Sequence, residues 1–119
     1  MTDLKEPQDR VIKFQDRLIP VDEDGHLLNV EDWSEDLAVY LAKIDGVTLT
    51  DQHWEVIRFI KDYYVRFATG PMPKIIIKNL NRKHGSEIYT IKKLYALFTD
   101  TPMRRACQYA GIPQTAGCT

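Results

Sequence analysis

Thr50-Asp51-Gln52-His53-Trp54-Glu55-Val56-Ile57-Arg58-Phe59-Ile60-Lys61-Asp62-Tyr63-Tyr64 decides the fold class. Trp54, Ile57, Ile60, Tyr64 and then Phe67 recur every three or four residues, the period of a helix with one buried stripe. Thr50 opens it, and Asp51 places a carboxylate in the first turn, where the helix dipole favours negative charge. Gly70-Pro71 is expected to end it.

Other helices extend outward from this one. Before it, Leu37, Leu41 and Ile44 predict a helix from about Asn29 to Ile44, capped by Asn29 or Ser34 and stopped at Gly46. After it, Pro73 suits the first position of a third helix running to about Lys83, closed by His84-Gly85. Ser86 is expected to cap a fourth, with Ile88, Ile91, Leu94, Tyr95 and Phe98 turned inward. Thr101-Pro102 starts a short fifth, Met103 to about Ala110, ended by Gly111. Val11-Ile12-Lys13-Phe14 and Leu18-Ile19-Pro20-Val21, separated by Gln15-Asp16-Arg17, predict a small β-hairpin. Trp33 and Trp54 are expected to anchor the core.

The predicted fold is therefore mainly α (α+β): an N-terminal hairpin on a compact bundle of about five helices, with a helix-turn-helix-like part and an extended C-terminal arm. One domain is expected. It comprises a flexible lead-in over 1–10, a hairpin region over 11–28, the helical bundle over 29–111 and a mobile arm over 112–119.

The chain has 119 residues, 44% hydrophobic and 28% charged, which excludes general disorder. No apolar run approaches the roughly 18–20 residues of a membrane span. Met1-Thr2-Asp3-Leu4-Lys5-Glu6-Pro7 carries neither a basic nor an apolar signal region, so a cytoplasmic location is expected. The net charge of −1 conceals a division: residues 1–57 sum to −9 and residues 58–119 to +8. Two faces with different partners, or halves that neutralise each other on packing, both fit.

Most chemistry is excluded by missing motifs. There is no phosphate loop, dinucleotide fingerprint or G-x-S-x-G, and no cofactor is expected. Asp22-Glu23-Asp24-Gly25 lacks the ligand spacing of a calcium loop, and no metal is expected. His26, His53 and His84 have no shared spacing and read as surface or capping residues. What remains is Cys107, near the end of the last helix, and Cys118, the penultimate residue. Eleven residues apart, they fit neither a C-x-x-C redox motif nor a zinc knuckle. A chain end seldom packs, so Cys118 reads as an exposed thiol on a swinging arm of roughly 30 Å reach. Folded back, that arm can bring Cys118 to Cys107, because Gly111 and Gly117 permit sharp turns. Arg104, three residues before Cys107, favours its thiolate, and the helix C-terminus opposes it.

The residues then match a known family. Asp24-Gly25-His26-Leu27, Trp33-Ser34-Glu35-Asp36-Leu37-Ala38, the stretch from Leu49 to Tyr64, Leu94-Tyr95-Ala96-Leu97-Phe98, Ala106-Cys107-Gln108-Tyr109-Ala110-Gly111-Ile112-Pro113 and Gly117-Cys118 resemble the DsrC/TusE family, the gamma subunit of dissimilatory sulfite reductase. The resemblance covers roughly residues 17–119. It implies a cytoplasmic sulfur carrier, a relay component rather than a stand-alone catalyst. Its penultimate cysteine accepts sulfur as a persulfide. With both cysteines present the DsrC type is favoured, in which Cys118 accepts the sulfur and Cys107 resolves it through a trisulfide or disulfide during dissimilatory sulfur metabolism. The partners implied are dissimilatory sulfite reductase, an upstream sulfurtransferase of the DsrEFH or TusBCD type and a membrane thiol-reductase complex. Arg104, Arg105, Lys74 and Lys78 are the expected docking residues.

A TusE-like relay toward tRNA 2-thiouridine synthesis is the alternative, and it needs Cys118 alone. A winged-helix DNA-binding regulator is a further alternative, with Lys74, Lys78, Arg82, Lys83, Lys92 and Lys93 on phosphates. The acidic first half argues against nucleic acid. Where the family carries Lys-Pro-Thr-Gly before the last cysteine, this chain has Gln114-Thr115-Ala116-Gly117, which predicts a less charged, looser arm. Thr101-Pro102-Met103-Arg104 replaces Gly-Pro-Ala-Lys, Lys74 stands for an expected arginine, and Thr119 replaces an aliphatic residue. These departures are those of a divergent paralogue.

Overall fold

The computed structural model describes residues 10–118; the lead-in expected over 1–10 falls outside them up to residue 9, as does Thr119. Strands β1 (Val11–Phe14) and β2 (Arg17–Pro20) pair antiparallel, Val11 opposite Pro20 and Phe14 opposite Arg17. The loop is only Gln15-Asp16, both at positive φ (49° and 64°), the left-handed geometry that matches the twist of a two-residue hairpin. Arg17, expected in the turn, is therefore the first residue of β2.

Five helices follow, as expected: α1 (Glu35–Ile44), α2 (Asp51–Phe67), α3 (Pro73–His84), α4 (Ile91–Phe98) and α5 (Pro102–Ala110). Among the described residues no helix is long and apolar enough to cross a membrane. Helix α5 lies against α1, α2 and α4, so the element carrying Cys107 is the centre of the bundle.

Several boundaries differ from expectation. The predicted first helix divides: Val30–Asp32 form a short 3-10 turn, Trp33 is extended, and α1 starts at Glu35. Ser34 is its cap, its Oγ accepting the Leu37 N–H at 3.1 Å, whereas Asn29 makes no side-chain cap bond. Ile44 is exposed, and Ala38 and Ala42 join Leu37 and Leu41 inside. Helix α2 stops at Phe67 with Ala68 left-handed (φ 58°), before Gly70-Pro71. Its core stripe is His53, Val56, Ile57 and Ile60; Trp54 and Tyr64 are partly buried, and Phe67 is 58% exposed because it lies past the bundle's edge. Ile75-Ile76-Ile77 are helical, as expected.

The fourth helix starts five residues later than Ser86. Thr90 caps α4, its Oγ1 accepting the Lys93 N–H at 3.0 Å. Buried Asn81 explains the delay. Its Oδ1 accepts the Tyr89 N–H at 2.7 Å and its Nδ2 donates to the Tyr89 carbonyl at 2.8 Å. Both main-chain groups of Tyr89 are thus held by a side chain and do not enter a helix. Its ring is buried and its hydroxyl donates to Glu55 Oε1 at 2.7 Å. Consequently Ile88, Ile91 (50% exposed) and Tyr95 (51%) face solvent, and Leu94, Leu97 and Phe98 fill the core. Burial alone would raise the Glu55 carboxyl, but hydrogen bonds from Tyr89, His84 and Lys83 and the charge of His84 outweigh it and bring it down to about 2.

Two histidines are buried rather than superficial. His53 Nδ1 accepts the Thr50 N–H at 2.9 Å while Nε2 donates to the Leu97 carbonyl at 2.6 Å, so it caps α2, as expected, and also ties it to α4. His26 has no exposed surface, and neither ring nitrogen has a hydrogen-bond partner among the described residues. Asp22 shapes this turn, its Oδ1 accepting from the N–H groups of Asp24 and His26 at 2.9 Å each. His84 lies at the end of α3 beside Glu55, 2.8 Å away.

Burial holds His26 and His53 below the usual imidazole range; Asp22 and Asp24 oppose this at His26, and the Leu97 carbonyl opposes it at His53. The unfolded chain therefore binds more protons below about 6.5, and the stability these neutral rings contribute is lost as pH falls through that region. The thermal midpoint should drop between pH 7.5 and pH 5, and His26→Leu should flatten the decline. An unchanged slope in that variant contradicts a buried neutral His26.

Candidate functional site

Cys107 and Cys118 meet in the interior, both fully buried. They form a disulfide with a Cα–Cα separation of 5.9 Å. The exposed terminal thiol expected from position is therefore corrected. The segment after α5 folds back rather than extending: Ile112 and Gly117 are buried, and Ala116–Cys118 close a 3-10 turn. Position in a chain says where ends fray on average, but here the last described residues, Gly117 and Cys118, pack against the Gly70 backbone.

The base of the arm is fixed first. Gly111 ends α5 in the left-handed region (φ 72°), and its N–H and that of Ile112 return to the Cys107 carbonyl or its neighbour Gln108. A Cβ at Gly111 would lie 2.1 Å from Cδ1 of Trp33, so only glycine fits both the dihedral and the space. Trp33 Nε1 donates to the Tyr109 carbonyl at 2.6 Å. Lys61 Nζ donates to the Ala110 carbonyl at 3.1 Å and sits 3.8 Å above the Trp33 ring. A cation on the last carbonyls of a helix complements its dipole. Burial lowers the Lys61 pKa, with Asp62 opposing. The Tyr109 hydroxyl donates to Asp45 Oδ2 at 2.6 Å, tying α5 to the end of α1, and burial followed by the Asp45 interaction pushes that phenol well up.

The tip of the arm sits on the loop after α2. A Cβ at Gly117 would lie 2.2 Å from the Gly70 carbonyl oxygen and 2.9 Å from that of Pro71. A Cβ at Gly70 would lie 3.0 Å from Cys118 Sγ. The two glycines let the backbones approach closely, which brings Cys118 to Cys107. Trp33, Lys61 and Gly70 were not singled out for the site by sequence reasoning, although paired glycines flanking a cysteine arm are a readable signal.

The expected docking residues divide into two groups. Arg104 reaches Asp24 Oδ1 at 3.9 Å, and Arg105 reaches Asp45 Oδ2 at 4.0 Å and Asp100 Oδ1 at 3.8 Å. The pairs with Asp24 and Asp45 join the basic half to the acidic half, so the two halves neutralise each other in part on packing. Lys74 and Lys78 are exposed on α3, along an open groove with Arg82 and Ile91. Lys83, by contrast, pairs with Glu55 Oε2 at 3.0 Å. Among the described residues no group of three or more His, Cys, Asp or Glu is placed to hold a metal.

Comparison with known proteins gives consistent relatives. The family model described as DsrC like protein matches residues 13–119. The chain is 40% identical over 108 residues to sulfurtransferase TusE of Yersinia pestis, covering 91% of this chain and 99% of that protein. It is 37% identical over 105 residues to sulfurtransferase TusE of Escherichia coli K12, covering 88% and 96%. Among solved structures it is similar to DsrC of Allochromatium vinosum, with a TM-score of 0.79 at 36% identity over 92% of this chain and 97% of that one. It is also similar to the oxidized gamma subunit of dissimilatory sulfite reductase from Archaeoglobus fulgidus, with a TM-score of 0.77 at 31% identity over 88% and 96%.

Gly111→Ala introduces both left-handed strain and a clash with Trp33. It should cost about 2–4 kcal/mol in denaturant unfolding. A cost under about 0.5 kcal/mol would show that this junction does not anchor the arm.

Proposed function

Starting from the premise that this chain belongs to the DsrC family, we propose that it carries sulfur within a sulfur relay, Cys118 accepting the sulfur and Cys107 resolving it. The observation that supports this most directly is the burial of both sulfurs against each other at the end of a short arm. The buried disulfide keeps both sulfurs from solvent until it is reduced. Reduction of the bridge by an external dithiol, which leaves as its own disulfide, frees the arm, and Cys118 then reaches a donor. After loading, the bond order on Cys118 is Cys–S–SH. Attack of the Cys107 thiolate on Cys118 Sγ breaks that sulfur–sulfur bond, closes the Cys107–Cys118 disulfide and releases hydrosulfide. The two thiols supply the two electrons that reduce the carried sulfur, so no outside reductant enters this step. Attack on the outer sulfur instead moves the persulfide to Cys107.

The relay reading, in which sulfur passes onward as in TusE, has the support of the relatives at 40% and 37% identity. There Cys118 alone suffices, and an upstream sulfurtransferase is the donor. A second reading, a DsrC-type role beside dissimilatory sulfite reductase, is favoured by the juxtaposition of two thiols able to hold one sulfur between them as a trisulfide. In both, Lys74, Lys78 and Arg104 form the partner-facing charge, because they are exposed and lie on the basic half that carries the cysteines.

Intact-mass analysis of the reduced protein after incubation with a persulfide donor tests the assignment. Wild type and Cys107→Ser should gain the mass of one sulfur atom, and Cys118→Ser should not. Equal loading of Cys118→Ser overturns the role of Cys118.

A further inference from the structure

Cys118 supplies the arm's sulfur to the closing bond, and Thr115, three positions earlier, adds a side-chain hydrogen bond from the arm to the loop after α2. Thr115 Oγ1 accepts the N–H of Gly70 at 2.9 Å. Its hydroxyl lies 3.6 Å from Cys118 Sγ. Because a disulfide sulfur carries no hydrogen, the Thr115 O–H is the donor in that contact. The Thr115 carbonyl in turn accepts the Cys118 N–H at 3.0 Å, which turns the chain so that Sγ points inward. One residue thus bonds the loop after α2, the cysteine's backbone and the cysteine's sulfur. The half-buried Gly70-Thr115 pair sits beside the buried approach of Gly117 to the Gly70 carbonyl, so the hydrogen bond and the glycine packing act on the same two segments.

We propose that Thr115 is the positioning residue of the arm, a latch that holds Cys118 against Cys107 by bonding the Gly70 N–H. This deepens the carrier reading above and rests on it for its purpose, although its test involves no sulfur loading. The physical argument is one of effective concentration. Closing the disulfide is an intramolecular step, and its equilibrium depends on how much of the time the arm lies in its seat. The latch raises that fraction. It also expects an arm-binding partner to compete for Gly70 N–H, the group a departing arm leaves unsatisfied. In Gln114-Thr115-Ala116-Gly117, threonine supplies the acceptor for this bond.

The test is the thiol–disulfide equilibrium of the full chain with glutathione. Glutathione disulfide takes two electrons and the two thiol protons, giving two glutathiones and the Cys107–Cys118 bridge. Thr115→Val keeps the shape and removes the hydroxyl. One hydrogen bond of about 1 kcal/mol corresponds to about a fivefold lower equilibrium constant for closure. Thr115→Ser should restore the constant to within about twofold of wild type. Gly117→Ala should lower it further than Thr115→Val, because its Cβ meets the Gly70 carbonyl. The thermal midpoint of the fully reduced protein should be the same in Thr115→Val as in wild type. An unchanged closure constant in Thr115→Val overturns the latch, and so does a reduced-state midpoint lowered along with it, which would mark a general structural role. Failure of sulfur loading with a normal latch effect would overturn the carrier reading and leave the latch in place.

Discussion

Backbone meets backbone at Gly70 and Gly117, with no room for a side chain between them, and the meeting of the two thiols depends on that approach. A single methyl at position 117 would overlap the Gly70 carbonyl oxygen, lifting the arm and separating the sulfurs. The bridge therefore requires a close approach of the main chain at these two glycines. The loop carrying Gly70 joins α2 to α3, so the seat belongs to the bundle, while the arm belongs to α5.

The other end of the arm is held with comparable economy. Trp33 and Lys61, from the segment before α1 and from α2, reach the last carbonyls of α5, and Gly111 turns the chain beneath the indole. Three different elements thus set the direction in which residues 112–118 leave. With base and tip both fixed, a short segment without periodicity acquires a defined course. The energetic contributions are small individually, about 1 kcal/mol for a hydrogen bond, which suits the release of the arm that the proposed carrier role requires.

Five helices and the hairpin were legible in the sequence because caps and apolar periods are local. Ser34, Thr50, Pro73, Gly85 and Gly111 all mark ends where the structure has them or within one residue. The start of α4 was not legible, since the decisive partner of Tyr89 is Asn81, a side chain on another helix. The outer end of the α2 stripe failed for a related reason: Phe67 has the right spacing but projects beyond the neighbours that would cover it. At the site, both cysteines were found from their positions, and the feasibility of a bridge was visible in the arm's length. Its burial was not visible, because the seat is built from main-chain atoms of Gly70 and Pro71, to which side-chain patterns are blind.

The most direct measurement is the release of hydrosulfide from protein loaded on Cys118, followed together with free thiols in wild type and in Cys107→Ser. Resolution by Cys107 predicts one hydrosulfide per loaded wild-type chain, with closure of the disulfide at the same rate, and a persistent persulfide in Cys107→Ser. Equal release from both proteins, or release without closure, would contradict a resolving role for Cys107 and with it the account of why the two sulfurs are brought together.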